Sequence, residues 1–135
     1  MNEQALEAWA PRVLSILRIV AAVLFFEHGT QKLLGFPARP DGGAGPEIFS
    51  LIGAAGILEL VGGALLILGL FTRPVAFVLS GEMAFAYWMA HAPKSAFPLL
   101  NGGDASILYC FVFLYIFFAG PGPWSLDAKR AGSTF

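Results

Sequence analysis

Residues 47–70 read EIFSLIGAAGILELVGGALLILGL, and this stretch decides the fold. After Glu47 it carries a single charge, Glu59, near its middle. A helix crosses the hydrocarbon core of a bilayer with about 20 apolar residues at 1.5 Å rise each. The stretch therefore reads as a spanning helix with a carboxylate inside the membrane. Charged side chains are costly in hydrocarbon, so such a carboxylate is a functional candidate by default. Glu59 shares a helical stripe with Gly56 and Gly63, and Gly62 lies beside them. Small residues of this kind let a neighbouring backbone pack closely, or they line a narrow ligand slot.

Three further apolar segments flank this one, over residues 11–34, 74–92 and 105–119. The last is short for a bilayer and needs local thinning or extension at its ends. Glycine and proline mark the breaks. Gly35 to Pro46 is a Gly/Pro-rich loop, Thr72-Arg73-Pro74 a tight turn, residues 93–103 a third connection, and Gly120-Pro121-Gly122-Pro123 a stop. Short connections imply antiparallel neighbours. The expectation is an all-α integral membrane four-helix bundle, up-down-up-down, over residues 11–119. Residues 1–10 read as an interfacial N-terminal helix with Leu6 and Trp9 towards lipid, and residues 120–135 as a C-terminal tail. No internal repeat is visible.

Composition agrees. Of 135 residues, 57% are hydrophobic and 13% charged, against about 25% charged in soluble domains. Mean hydropathy is +0.72. A net charge of −1 argues against a nucleic-acid partner. Cys110 is the only cysteine, which excludes an internal disulfide, a CxxC redox pair and a cysteine zinc cage; it reads as a small buried apolar residue. Glu3 and Glu7 stand where a secretory signal would be basic. In the alternating topology one face carries Arg12, Arg73, Lys129 and Arg130 with both termini. The other carries Lys32, Arg39 and Lys94. This bias leans towards cytoplasmic termini.

Two more glutamates, Glu27 and Glu82, lie inside apolar segments, and His28 follows Glu27. At 1.5 Å per residue, Glu27, His28, Glu59 and Glu82 fall within about 10 Å of one level. They are candidates for one polar layer, with Gln31 and Lys32 a helical turn beyond Glu27 and His28. His91, Asn101 and Asp104 make a candidate rim on the same side. The alternative is that the three carboxyls are neutral, hydrogen-bonded structural groups. Arg18 falls on a stripe with Ser15, Ala22 and Gly29. Glu27 is about 180° away at about 100° per residue. Either Arg18 snorkels to the terminal face, or one of the two sits at a subunit interface, as in a homo-oligomer. No Glu-x-x-His pair of the diiron type occurs, no phosphate loop or nucleophile triad is present, and neither metal nor haem is expected.

Several runs together resemble the DoxX family of small bacterial membrane proteins. They are Phe26-Glu27-His28-Gly29-Thr30-Gln31-Lys32-Leu33-Leu34-Gly35, Glu59-Leu60-Val61-Gly62-Gly63, Gly69-Leu70-Phe71-Thr72-Arg73, Asn101-Gly102-Gly103-Asp104, and the segment from Gly120 to Asp127. The resemblance implies a four-helix inner-membrane protein related to a subunit of a quinone-linked oxidoreductase. It marks Glu27, His28, Gln31, Lys32, Glu59, Gly62, Gly63, Asn101, Gly102 and Gly103 as motif positions and assigns no catalytic residues.

The leading expectation is a quinone-linked redox subunit or accessory protein. Quinol oxidation releases two protons, and Glu27, Glu59, Glu82 and His28 are acceptors beside an apolar, phenylalanine-rich interior. The chain has no electron acceptor of its own, so a soluble or membrane redox partner is implied. The alternatives are a small proton-coupled transporter or lipophile-binding protein, and a membrane adaptor whose tail, Ser125 to Phe135, docks a soluble redox enzyme.

Overall fold

The computed structural model describes residues 2–132. Among these the protein is all helical. Helix α1 runs Glu3–Leu34, α2 Leu51–Leu68, α3 Thr72–Ala86, α4 Pro98–Asn101, α5 Asp104–Ala119 and α6 Leu126–Arg130. A π turn, Tyr87–His91, continues α3, and a 3-10 turn, Ala92–Lys94, follows it.

Capping chemistry explains the boundaries. Helix α1 starts at Glu3 because the Asn2 side chain accepts the Ala5 N–H. It runs through Pro11 without a break, so residues 3–10 are continuous with the first apolar segment. Proline leaves the Glu7 carbonyl without its helical donor; the adjacent Arg12 guanidinium reaches back to Ala8 O at 2.9 Å. Helix α2 starts at Leu51 rather than Glu47 because Ser50 caps the Gly53 N–H. It ends on Gly69 at φ 66°, a left-handed geometry that glycine adopts freely.

Helix α1 packs along α2, and α3 along α5, while α2 meets α3 and α1 meets α5 over shorter stretches. Glycines permit the closest approach. A Cβ on Gly29 would stand 2.5 Å from Leu60 N, and one on Gly63 would stand 3.0 Å from Phe26 Cα. Gly56 faces Leu33 and Lys32, and Gly62 faces Leu79. The core holds Ala22, Phe25, Leu66, Ala76, Leu79, Phe113 and Ile116. The Phe25 ring packs edge-on against Phe113 at 5.0 Å and against Tyr109 at 5.3 Å. Outside this core the helices turn large apolar residues outward, among them Val20, Leu24, Val61, Phe77, Leu108 and Phe118.

Arg18 is wholly buried, so its head reaches towards the terminal face, as expected, but is held there by carbonyls and not by water. Its guanidinium donates to Leu66 O at 2.8 Å, to Trp124 O at 2.7 Å and to Pro121 O. One cation thus satisfies carbonyls at the end of α2 and in the Pro/Gly segment after α5. Phase still sets it opposite Glu27, which is exposed on the outer side of α1.

Candidate functional site

Lys32 lies in the last turn of α1 and reaches across to α2. Its ammonium donates to both oxygens of Glu59, at 2.6 and 2.7 Å. The Gly29 and Gly56 contacts bring the two backbones close enough for this. Glu59 is only 2% exposed, so it needs a partner: an unpaired charge out of water costs several kcal/mol. Glu82, from α3, has none. Both carboxyl oxygens are buried, and neither has a hydrogen-bond partner among the described residues.

Lys32, Glu59 and Glu82 line one cavity of about 740 Å³. Its walls are chiefly apolar. Helix α2 supplies Leu51, Ala55 and Leu58; α3 and its π turn supply Val78, Gly81, Phe85 and Met89; and Phe25, Ser106 and Tyr109 close the far side. The volume falls in the range of about 300–1,000 Å³ common for small-molecule sites.

The two histidines also line this cavity. His28 Nδ1 is 3.0 Å from Leu24 O, and His91 Nδ1 is 3.0 Å from Asn101 O. Where Nδ1–H is donated to that carbonyl, Nε2 is the ring nitrogen left for another partner. His91 ends the π turn that continues α3; such turns are frequent at functional sites. Asn101 is buried and ties the neighbouring connection together. It donates to Ser95 O at 3.0 Å and to the Tyr87 hydroxyl at 3.3 Å, and it accepts the Gly103 N–H at 2.8 Å.

The remaining candidates lie elsewhere. Glu27 is exposed and outside the cavity lining. Gln31 lines a smaller pocket of about 290 Å³ with Lys32 and Arg39, and donates to Pro37 O at 3.3 Å. Asp104 is exposed in the first turn of α5. Sequence reasoning missed Tyr109, Ser106 and Gly81. The first two lie three apart on the inward stripe of α5 that continues to Phe113, so phase held a usable signal for them. Among the described residues, no cluster of three His, Cys, Asp or Glu is placed to hold a metal.

A second polar cluster closes the terminal face. Asp127 accepts the N–H of Phe71 at 3.0 Å and of Thr72 at 2.8 Å. Partial burial works against its carboxylate, but the Thr72 and Phe71 hydrogen bonds and nearby Arg130 outweigh that and hold its pKa below the usual value. Arg73 donates to Phe117 O and Phe118 O at 2.6 and 2.7 Å. The tail segment 120–130 is thus fastened to the helices. Residues 133–135 of the docking segment expected from the sequence lie outside the described residues.

Soluble proteins rarely present so large an apolar exterior, and α1 and α2 are each long and apolar enough to cross a membrane. Fold and surface define a helical membrane protein. The chain belongs to the DoxX family, whose sequence profile matches residues 13–92. It is 47% identical to an uncharacterised protein of Haemophilus influenzae, over 92% of this chain and 95% of that one. It is 31% identical to an uncharacterised membrane protein of Mycobacterium tuberculosis, over 93% and 88% of the two chains. The inner membrane protein YphA of Escherichia coli is 28% identical over 88% and 91%. No solved structure matches the chain.

Proposed function

We propose that this DoxX-family protein is a quinone-linked redox subunit of the bacterial inner membrane. In this reading α1, α2, α3 with its π turn, and α5 span the bilayer in alternating directions, with both termini on the cytoplasmic side. One observation carries the functional part. An apolar cavity of about 740 Å³ ends at an ion pair and at a buried carboxyl that nothing in the described chain engages.

The roles divide by partnership. Lys32 and Glu59 satisfy each other and present a fixed dipole to a carbonyl or hydroxyl head group. Glu82 is uncommitted; unpaired and out of water it is held neutral, so it relays the two protons released on quinol oxidation one after the other, handing its own proton on as it takes the next. His28 and His91, which also line the cavity, pass the two protons outward through Nε2. The two electrons leave to a partner with flavin, haem or thiol chemistry. A lipophile-binding protein without electron transfer would use the same cavity; quinol turnover with a partner separates the two.

Purified protein in nanodiscs should bind a short-chain benzoquinone. Glu82→Gln and Glu59→Gln should each weaken binding about tenfold, the cost of one strong buried hydrogen bond. Glu27→Gln should leave it unchanged. Equal affinity in all three variants would remove the cavity from the mechanism.

A further inference from the structure

We propose that the cavity is loaded sideways from the bilayer, through the gap between α2 and α3, and that Gly81 is the threshold of this portal. The occupant is a single-chain amphiphile, with a compact hydrogen-bonding head at Glu82 and the Lys32–Glu59 pair and its apolar chain lying in the gap. The position of the head rests on the quinone reading above. The portal does not.

Gly81 supplies the first observation. Glycine weakens a helix interior relative to alanine, because it has more freedom to lose and no side chain to pack. The other glycines inside α1 and α2 return something for that cost. A Cβ would meet a neighbour at 2.5 Å from Gly29, at 2.8 Å from Gly62, at 3.0 Å from Gly63 and at 3.2 Å from Gly56. Gly53 is closed by the Glu47 and Ile48 carbonyls. Among the glycines inside the described helices, Gly81 alone meets nothing within 4 Å. It also has no left-handed φ that would demand glycine. Gly81 is exposed, so its missing side chain leaves open space on the outer surface beside the cavity.

The second observation is where that room lies. Gly81 lines the cavity and precedes Glu82, whose carboxyl has no partner. Leu51 and Leu58 of α2 and Val78 and Phe85 of α3 both line the cavity and stand on the outer surface. The cavity therefore opens between these helices, where α2 and α3 pack over a shorter stretch than α1 and α2 do. In a bilayer this opening faces acyl chains. Apolar residues at the opening and the charged groups at its inner end match an amphiphile entering tail outward.

The test uses full-length protein in nanodiscs and a decyl-tailed benzoquinone carrying a diazirine on its chain, with adducts mapped by peptide mass spectrometry. Adducts should fall on the α2 and α3 residues that flank the gap. Gly81→Leu should lower their yield about fivefold or more, as expected for crowding an occupied site. Ala55→Leu, which narrows the gap from α2, should act likewise and stands in if Gly81→Leu fails to fold. Val20→Leu, on the outer face of α1, should change nothing. Wild-type labelling in both narrowed variants would overturn the portal and leave the quinone reading intact. Absence of cavity adducts in the wild type would overturn both. Efficient disulfide formation between Gly81→Cys protomers in a Cys110→Ser background, unaffected by quinone, would assign the space to a second copy of the chain and also overturn the portal.

Discussion

Lys32 and Glu59 are legible in the sequence as polar residues in apolar helices, but their pairing is not. They are 27 positions apart, and no helical phase argument spans two helices. The pair makes a sharp prediction. Lys32→Met leaves Glu59 buried and unpaired and should cost about 3–5 kcal/mol in unfolding from mixed micelles. The double variant Lys32→Met/Glu59→Leu should recover most of that loss, since replacing a whole buried pair by apolar groups is often neutral. Arg18 shows the opposite failure of sequence reading. Phase placed it correctly opposite Glu27, yet nothing local reveals that three carbonyls from distant segments converge on it. Arg18→Lys keeps the charge but loses the planar fork. It should expose the segment 120–130 to limited proteolysis and cost at least about 2 kcal/mol through bare carbonyls. An unchanged digestion pattern would show that other contacts hold the tail.

The helices follow rules that can be read locally, and their junctions do not. Helix α3 illustrates this. Its first residues were legible from Pro74, but its N-terminus is capped by Asp127, which stands 55 residues away from Thr72. Phe71 precedes it at φ 51°, a left-handed conformation that costs a bulky residue energy; the Asp127 bond to its N–H helps hold it there. Asp127→Ala should lower stability by about 1 kcal/mol, as other lost N-caps do. The pH dependence follows from the depressed pKa. The carboxylate contributes fully above its unfolded value of about 3.9, and the contribution is lost as pH falls through the lower folded value. Melting temperatures measured down to about pH 3 should therefore show an acid slope that is shallower in Asp127→Asn. Between α1 and α2 the device is steric. Gly29→Val would place a branched side chain against Leu60 N and should destabilise by about 1–3 kcal/mol or more, measured by thermal unfolding in detergent.

At the scale of the whole molecule, the apolar exterior and the inward polar groups demand a solvent that is not water. In the proposed topology a cysteine at residue 2 or 131 should react with an impermeant maleimide only from the cytoplasmic side, and one at residue 42 only from the opposite side. The reverse pattern would invert the orientation assigned to the chain. Composition and segment lengths by themselves determined the all-helical class and the membrane setting, because hydropathy and glycine/proline punctuation act over one segment at a time. The family was legible for the same reason, through short runs kept in order. Only the tertiary structure decided which of the three glutamates in apolar segments turn into one cavity, since that depends on the rotation of α1, α2 and α3 against one another. It turned Glu59 and Glu82 inward and left Glu27 outside. It gave Glu59 a cation and Glu82 none. Packing sets these rotations through contacts such as Gly29 on Leu60 and Gly62 on Leu79, and such contacts join residues that no local pattern connects.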